Sequence, residues 1–242
     1  MKRVSRKKRG FGIFFVVMIV AFAAVVVLIS PLFEIRQIEV VGNGTICAED
    51  ILGRTQLTAG QNMLAFSANN VRTQINQLPF VSRVDVVREF PDKVVITISE
   101  RVPIANVRVA HSATYLLIDN MGMVLESAAS PTSGLPVAIG IHFANFAVGE
   151  YLEVENDLVF RDMLRLYRLF TRYDFLPDTV DMSNPADIIF QADNLSIFFG
   201  SMSDMDRKIQ YISAIRAQFM PEGRGFIEIR DISERPRFGL IR

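Results

Sequence analysis

Residues 11–29 form a run of nineteen uncharged positions, apolar at nearly every one rather than along a single face. A helix of that length is roughly 28 Å long, close to the roughly 30 Å hydrocarbon core of a bilayer, so the run predicts one membrane-spanning helix. Beyond Ser30-Pro31 the pattern changes to short alternations. Ile35, Ile38, Val40 and Val41 interleave with polar residues up to Gly42-Asn43-Gly44, which reads as a strand. A short helical stretch beginning at Thr45 carries Ile46, Ile51 and Leu52, and Thr58-Ala59-Gly60-Gln61-Asn62 breaks it. A second helix over 68–78 aligns Val71, Ile75 and Leu78 before Pro79 stops it. Segments 81–88 and 93–100 alternate and are joined by Pro91-Asp92, so they read as a hairpin. Residues 35–101 therefore predict β-α-α-β-β, with two amphipathic helices over one face of a three-stranded sheet.

After Arg101-Val102-Pro103 come short strands at about 104–109, 114–118 and 123–126. The last two are joined by Asp119-Asn120-Met121-Gly122, a turn with its acceptor first and its glycine last. Residues 127–134 are a loop, and Leu135-Pro136-Val137 resumes an extended path. A helix over 156–171 puts Leu158, Leu166 and Phe170 on the flank of Met163. Strands follow at 179–182, 187–191 and 195–199, the last two a hairpin about Ala192-Asp193-Asn194. A final helix over 204–220 aligns Met205, Ile209, Ile212, Ile215 and Phe219, and Phe226-Ile227-Glu228-Ile229-Arg230 is a concluding strand. The tail after Asp231 ends on the apolar Phe238, Leu240 and Ile241. The sheet edge left by this late strand is either open to another chain's strand or covered by the tail itself.

Charge settles the orientation of the first helix. Lys2, Arg3, Arg6, Lys7, Lys8 and Arg9 precede it, so the positive-inside bias holds the N-terminus in the cytoplasm and sends the bulk of the chain across. A cleaved secretory signal is the competing reading, since Ala21-Phe22-Ala23 resembles a processing site. Cleavage would leave the apolar run 24–29 exposed at the new terminus, so a retained anchor is the simpler account. The chain has 26 basic and 26 acidic residues, but six of the basic ones lie in the first ten positions; the remainder carries 20 against 26 and disfavours nucleic acid.

Candidate chemistry is sparse. The lone Cys47 can form no intrachain disulfide and reads as a small core residue at a helix start. With the distant His111 and His142 it makes neither a zinc site nor a nucleophile pair. Asp204-Met205-Asp206 stands where a helix start needs capping acceptors, which outweighs a divalent-metal reading. Gly140, Gly149 and Gly200 lack the density and the lysine of a phosphate loop. Arg88-Glu89 and Glu100-Arg101 read as solvated or cross-strand charges.

Three stretches carry a resemblance to a known family: Phe33-Glu34-Ile35-Arg36-Gln37-Ile38-Glu39-Val40-Val41-Gly42-Asn43; Leu78-Pro79-Phe80-Val81 with Val84, Arg88 and Pro91; and Ile98-Ser99-Glu100-Arg101-Val102-Pro103. With Leu117-Ile118-Asp119-Asn120-Met121-Gly122, Leu135-Pro136 and the segment 225–231, the chain resembles the FtsQ/DivIB family of bacterial cell-division proteins over nearly its whole length. The resemblance implies an α+β architecture: cytoplasmic tail 1–10, transmembrane helix 11–29, a POTRA domain over 31–102, a mixed β-rich domain with two helices over 103–232, and a C-terminal tail 233–242. It implies a non-enzymatic divisome scaffold without cofactors or metal, located in the cytoplasmic membrane at the division septum. Such a scaffold binds FtsB/DivIC-like and FtsL-like bitopic partners and helps regulate septal peptidoglycan synthesis. POTRA modules also occur in envelope-assembly chaperones, which is the alternative class. Partner binding by strand addition, carried over from the family, falls on Phe226, Glu228, Ile229 and Arg230 and on the tail residues Arg237, Phe238, Leu240 and Ile241. Pro236 would cost a continuous strand a donor, so pairing along the last strand is expected to stop near Ser233.

Overall fold

A computed structural model describes residues 7–28, 30–218, 224–232 and 235–240, and the chain divides into two compact units, Met1–Glu100 and Arg101–Arg242. The expected positions 1–6, Ile29, Phe219, Met220, Ser233 and Ile241 lie outside the described residues.

Unit 1 begins with α1 (Lys7–Leu28), then a 3-10 turn (Pro31–Phe33) whose start is capped by the Ser30 hydroxyl accepting from Leu32 N–H. Among the described residues no helix is long and apolar enough to cross a membrane. The elements after α1 follow the alternation read from the sequence: β1 (Gln37–Val41), α2 (Ala48–Gly53), α3 (Ala68–Ile75), β2 (Val81–Glu89) and β3 (Lys93–Glu100). The sheet order is β1-β3-β2, with β3 central, parallel to β1 and antiparallel to β2. Val94, Ile96 and Ile98 of β3 point into one core with Ile51 of α2 and Val71 and Ile75 of α3, because period-2 and period-3.6 apolar positions meet on the same face of the sheet. Gly42 ends β1 at φ +84°, and an added Cβ would collide with the Ile98 carbonyl oxygen, so only glycine lets β1 leave this close to β3.

Unit 2 is built on a sheet of nine strands: β4 (Pro103–Arg108), β5 (Tyr115–Asp119), β6 (Val124–Ala128), β7 (Val137–Ile139), β8 (Thr179–Asp181), β9 (Ile188–Ala192), β10 (Leu195–Gly200), β11 (Gly225–Glu228) and β12 (Arg237–Leu240). Their order is β12-β11-β10-β9-β8-β7-β4-β5-β6. Helices α4 (Asp157–Arg172) and α5 (Met205–Gln218) share one core with this sheet. Asn156 caps α4 by accepting from the Leu158 and Val159 N–H groups. The α4 stripe runs through Phe160, Met163, Leu164, Tyr167 and Phe170, at helical spacing. Leu158, expected on that flank, is exposed: two residues before Phe160 is 200° around the helix, on the solvent side. Tyr167, Phe170, Phe175 and Phe190 stack edge to face at the centre, with centroids 5.3–5.4 Å apart along the chain of contacts.

Of the charges expected to be solvated or paired across the sheet, Arg101 is paired: its Nη1 meets Asp119 Oδ2, on the neighbouring strand, at 2.7 Å, and Asp119 is buried, its other oxygen accepting from Met121 and Met123 N–H. The expectation for Arg88 is corrected. Arg88 points inward, donating to the Met63 and Phe66 carbonyls with its guanidinium over the Phe66 ring. Cys47 does stand at a helix start, in the N-cap position of α2, but it is exposed rather than in the core. Its neighbours Ile46 and Ile51 supply the inward-facing groups, leaving the cap position on the outer turn.

Candidate partner-binding edge

The late strands are assembled by one crossover and one reversal. The β9–β10 hairpin turns at Asp193, held at φ +52°, and β10 is followed by α5, whose buried Met205, Ile209 and Ile212 carry the chain back so that β11 lies parallel to β10. The chain then reverses after Asp231 and β12 pairs antiparallel with β11: Gly225 opposite Leu240, Phe226 opposite Gly239, Ile227 opposite Phe238, Glu228 opposite Arg237. The tail thus covers the border of β11. The expected concluding strand 226–230 is found as Gly225–Glu228, and the tail forms a separate strand past Pro236.

This arrangement sorts the expected residues. Ile229 is buried in the unit 2 core, and its N–H donates to the Phe198 carbonyl at 2.9 Å. Phe226 is half-buried, and its ring lies over Gly239, where an added Cβ would come within 3.3 Å. Arg230 is held by Asp187 through two bonds, Nε at 2.8 Å and Nη2 at 3.1 Å, by Glu228 through Nη1, and by stacking on Phe198. The Arg230 guanidinium beside Asp187 holds that carboxyl below its usual range, and the carboxylate in turn raises the arginine. Asp187 is not singled out by the sequence, which reads it only as the first residue of a strand, whereas it stands just before β9. Arg237 lies opposite Glu228, and the two line, with Arg230, Asp231 and Arg235, a shallow cleft of about 250 Å³.

Directly opposed residues of an antiparallel pair project from the same face. Phe238 therefore shares the face of Ile227, which is in the core, yet Phe238 is 51% exposed and Leu240, two residues on, 59%. At the sheet's border the core face continues onto side chains that water still reaches. The described residues contain no group of three His, Cys, Asp or Glu placed to hold a metal, and both His111 and His142 are exposed.

Comparison with known proteins agrees with this architecture. Residues 33–101 match the family model for the FtsQ-type POTRA domain. The chain is 27% identical over 191 residues to the cell division protein DivIB of Clostridium tetani, covering 78% of this chain and 71% of that protein. It is 34% identical over 93 residues to the cell division protein FtsQ of Syntrophotalea carbinolica, covering 38% and 33%. A third relative, DivIB of Clostridium acetobutylicum, is 21% identical over 206 residues, covering 82% of this chain and 80% of its own. Residues 33–101 are thus an FtsQ-type POTRA domain, and the chain is similar over most of its length to bacterial cell division proteins named DivIB and FtsQ.

Proposed function

We propose that the protein is a membrane-anchored divisome scaffold that works by pairing with strands of other division proteins outside the cytoplasmic membrane, and that no chemistry is performed on it. The anchor is the run 11–29. Supporting it, side chains 13–20 and Phe22 of α1 are all more than half exposed. A helix apolar on every side and largely exposed suits lipid. With the basic residues 2–9 inside, both folded units lie on the outer side.

The partners are of the FtsB/DivIC and FtsL kind, and docking them is the route by which the scaffold helps regulate septal peptidoglycan synthesis. One observation carries the partner site: β12 is the last strand of the nine, and Phe238 and Leu240 stand exposed on its core-side face. A strand added there would gain ladder hydrogen bonds, while its alternate apolar side chains would cover Phe238 and Leu240. Its charged side chains would meet Arg237 beside Glu228 and Arg230 on the other face. β11 acts as the floor: Phe226 sets β12 through Gly239, and Ile229 ties the floor to the core. The test is capture of the organism's own FtsB/DivIC-type protein by full-length Phe238→Ser and Leu240→Asp variants. Each should lose at least about tenfold in binding, the worth of one large apolar contact, with an unchanged unfolding transition. Undiminished capture by both would reject the edge.

A further inference from the structure

Where the chain leaves α1, three segments distant in sequence bring bulky apolar side chains together. Phe33 closes the 3-10 turn, its carbonyl oxygen accepting from Met63 N–H at 2.7 Å and its ring meeting Phe90 edge to face at 6.1 Å. Leu64 follows Met63 and is 41% exposed; Phe90 is 59% exposed and Leu32 65%. The backbone beneath them is held firmly. Ile35 N–H donates to the Gln61 carbonyl and Arg36 N–H to the Asp92 carbonyl, both at 2.8 Å, and Arg88 clamps the Met63 carbonyl. Leu32, Leu64 and Phe90 are thus presented to solvent by a rigid surface, which ordinarily costs a folded protein free energy unless something covers them.

The position of the patch in the chain selects its cover. Leu32 lies four positions beyond Leu28, the last residue of α1, so the patch starts within roughly 14 Å of the helix end. A helix that is apolar on every face and ends there leaves these side chains at the level where hydrocarbon gives way to headgroups, a boundary that takes up Phe and Leu. The nearby charges, Glu34 and the Arg36–Asp92 pair, leave one net negative charge, so attraction to anionic lipid is not what would hold it. We infer that Leu32, Leu64 and Phe90 dock the POTRA domain onto the outer surface of the bilayer that α1 crosses, fixing the domain's height and tilt there. The inference rests on the reading of α1 as a membrane anchor and adds a second, lateral attachment to it.

The chain contains no tryptophan, so each Trp variant is a single emitter. The full-length chain would be placed in phosphatidylcholine nanodiscs as four variants: Phe90→Trp, Leu64→Trp, Phe15→Trp within α1, and Arg83→Trp, seven residues and roughly 23 Å back along β2 from Phe90. The result expected is blue-shifted emission at 90 and 64, quenched severalfold more by lipids brominated near the headgroup than by aqueous iodide, and insensitive to high salt. The probe at 15 should be quenched by deeply brominated lipid, and that at 83 by iodide alone. Quenching by lipid at 15, with 90 or 64 behaving like 83, would overturn the docking and leave the anchor standing. An unquenched probe at 15 would overturn both. Equal lipid quenching at 83 and 90, or loss of the effect in high salt, would overturn docking by this patch.

Discussion

The phenol of Tyr167 is fully buried among Phe170 and its aromatic neighbours, and its hydroxyl has no hydrogen-bond partner among the described residues. Burial pushes its pKa far up, since a phenolate there would be neither solvated nor paired. An unsatisfied hydroxyl costs about 1–3 kcal/mol, whereas the ring fills the core whether or not it carries oxygen. Tyr167→Phe should therefore raise stability by about 1 kcal/mol, read as a higher denaturant midpoint at constant slope. A lower midpoint would mean that the hydroxyl is satisfied in solution. The contrast within the same unit is Asp119, equally buried but served by Arg101 and two backbone N–H groups. There the polar group fixes where β5 turns into β6, and removing Arg101 would strand a charge.

At the scale of elements, Glu100 shows how one strand end organises another segment. Its carboxylate, at the end of β3, accepts from the N–H groups of Gly44 at 2.8 Å, Thr45 at 2.9 Å and Ile46 at 3.0 Å, fixing the loop between β1 and α2. Partial burial opposes ionisation, but the N–H bonds from Ile46, Thr45 and Gly44 outweigh it and hold the carboxyl below its ordinary value of 4.5. A carboxyl depressed on folding contributes stability that is fully present above its unfolded value and is lost as pH falls through the lower, folded one. Glu100→Gln should thus destabilise unit 1 at pH 7, and the difference from the native chain should shrink on acidification to about pH 3. A difference in unfolding midpoint that stays constant with pH would refute the carboxylate's role. The sequence marked Glu100 only as one of a pair of strand-end charges, because its donors lie more than fifty residues away. Local patterns were legible for the same reason that distant ones were not. Val94, Ile96 and Ile98 announce β3 by alternation, and Asp119 and Gly122 announce their turn. Nothing in Arg237-Phe238-Gly239-Leu240 announces a strand: it is four residues long, contains glycine and follows Pro236. Its pairing depends on where α5 delivers β11, so the border could be expected at the chain's end but not assigned to β12.

At the scale of the whole molecule, the reading turns on which side of a membrane the two units lie, and the chain carries its own reporter. Cys47 is its one cysteine and is exposed at the N-cap of α2, beyond the end of α1. The tail of Lys2, Arg3, Arg6, Lys7, Lys8 and Arg9 stands at the opposite end of that helix. If the positive-inside bias governs, a membrane-impermeant maleimide should label Cys47 in intact spheroplasts of the native organism, and Cys47→Ser should abolish the label. A second variant, Ser5→Cys in the Cys47→Ser background, should react only after the membrane is permeabilised. Labelling of position 5 from outside, with Cys47 protected, would reverse the topology and remove β12 from the compartment in which the proposed partners are met. The same gel separates a retained anchor from a cleaved signal. Processing after Ala23 would shorten the Cys47-labelled band by 23 residues and, in the Ser5→Cys, Cys47→Ser chain, leave the mature product with no thiol to label. A full-length band carrying the Cys47 label requires instead that the apolar run of α1 stay with the mature chain, where lipid is the solvent in which its uncovered faces are stable.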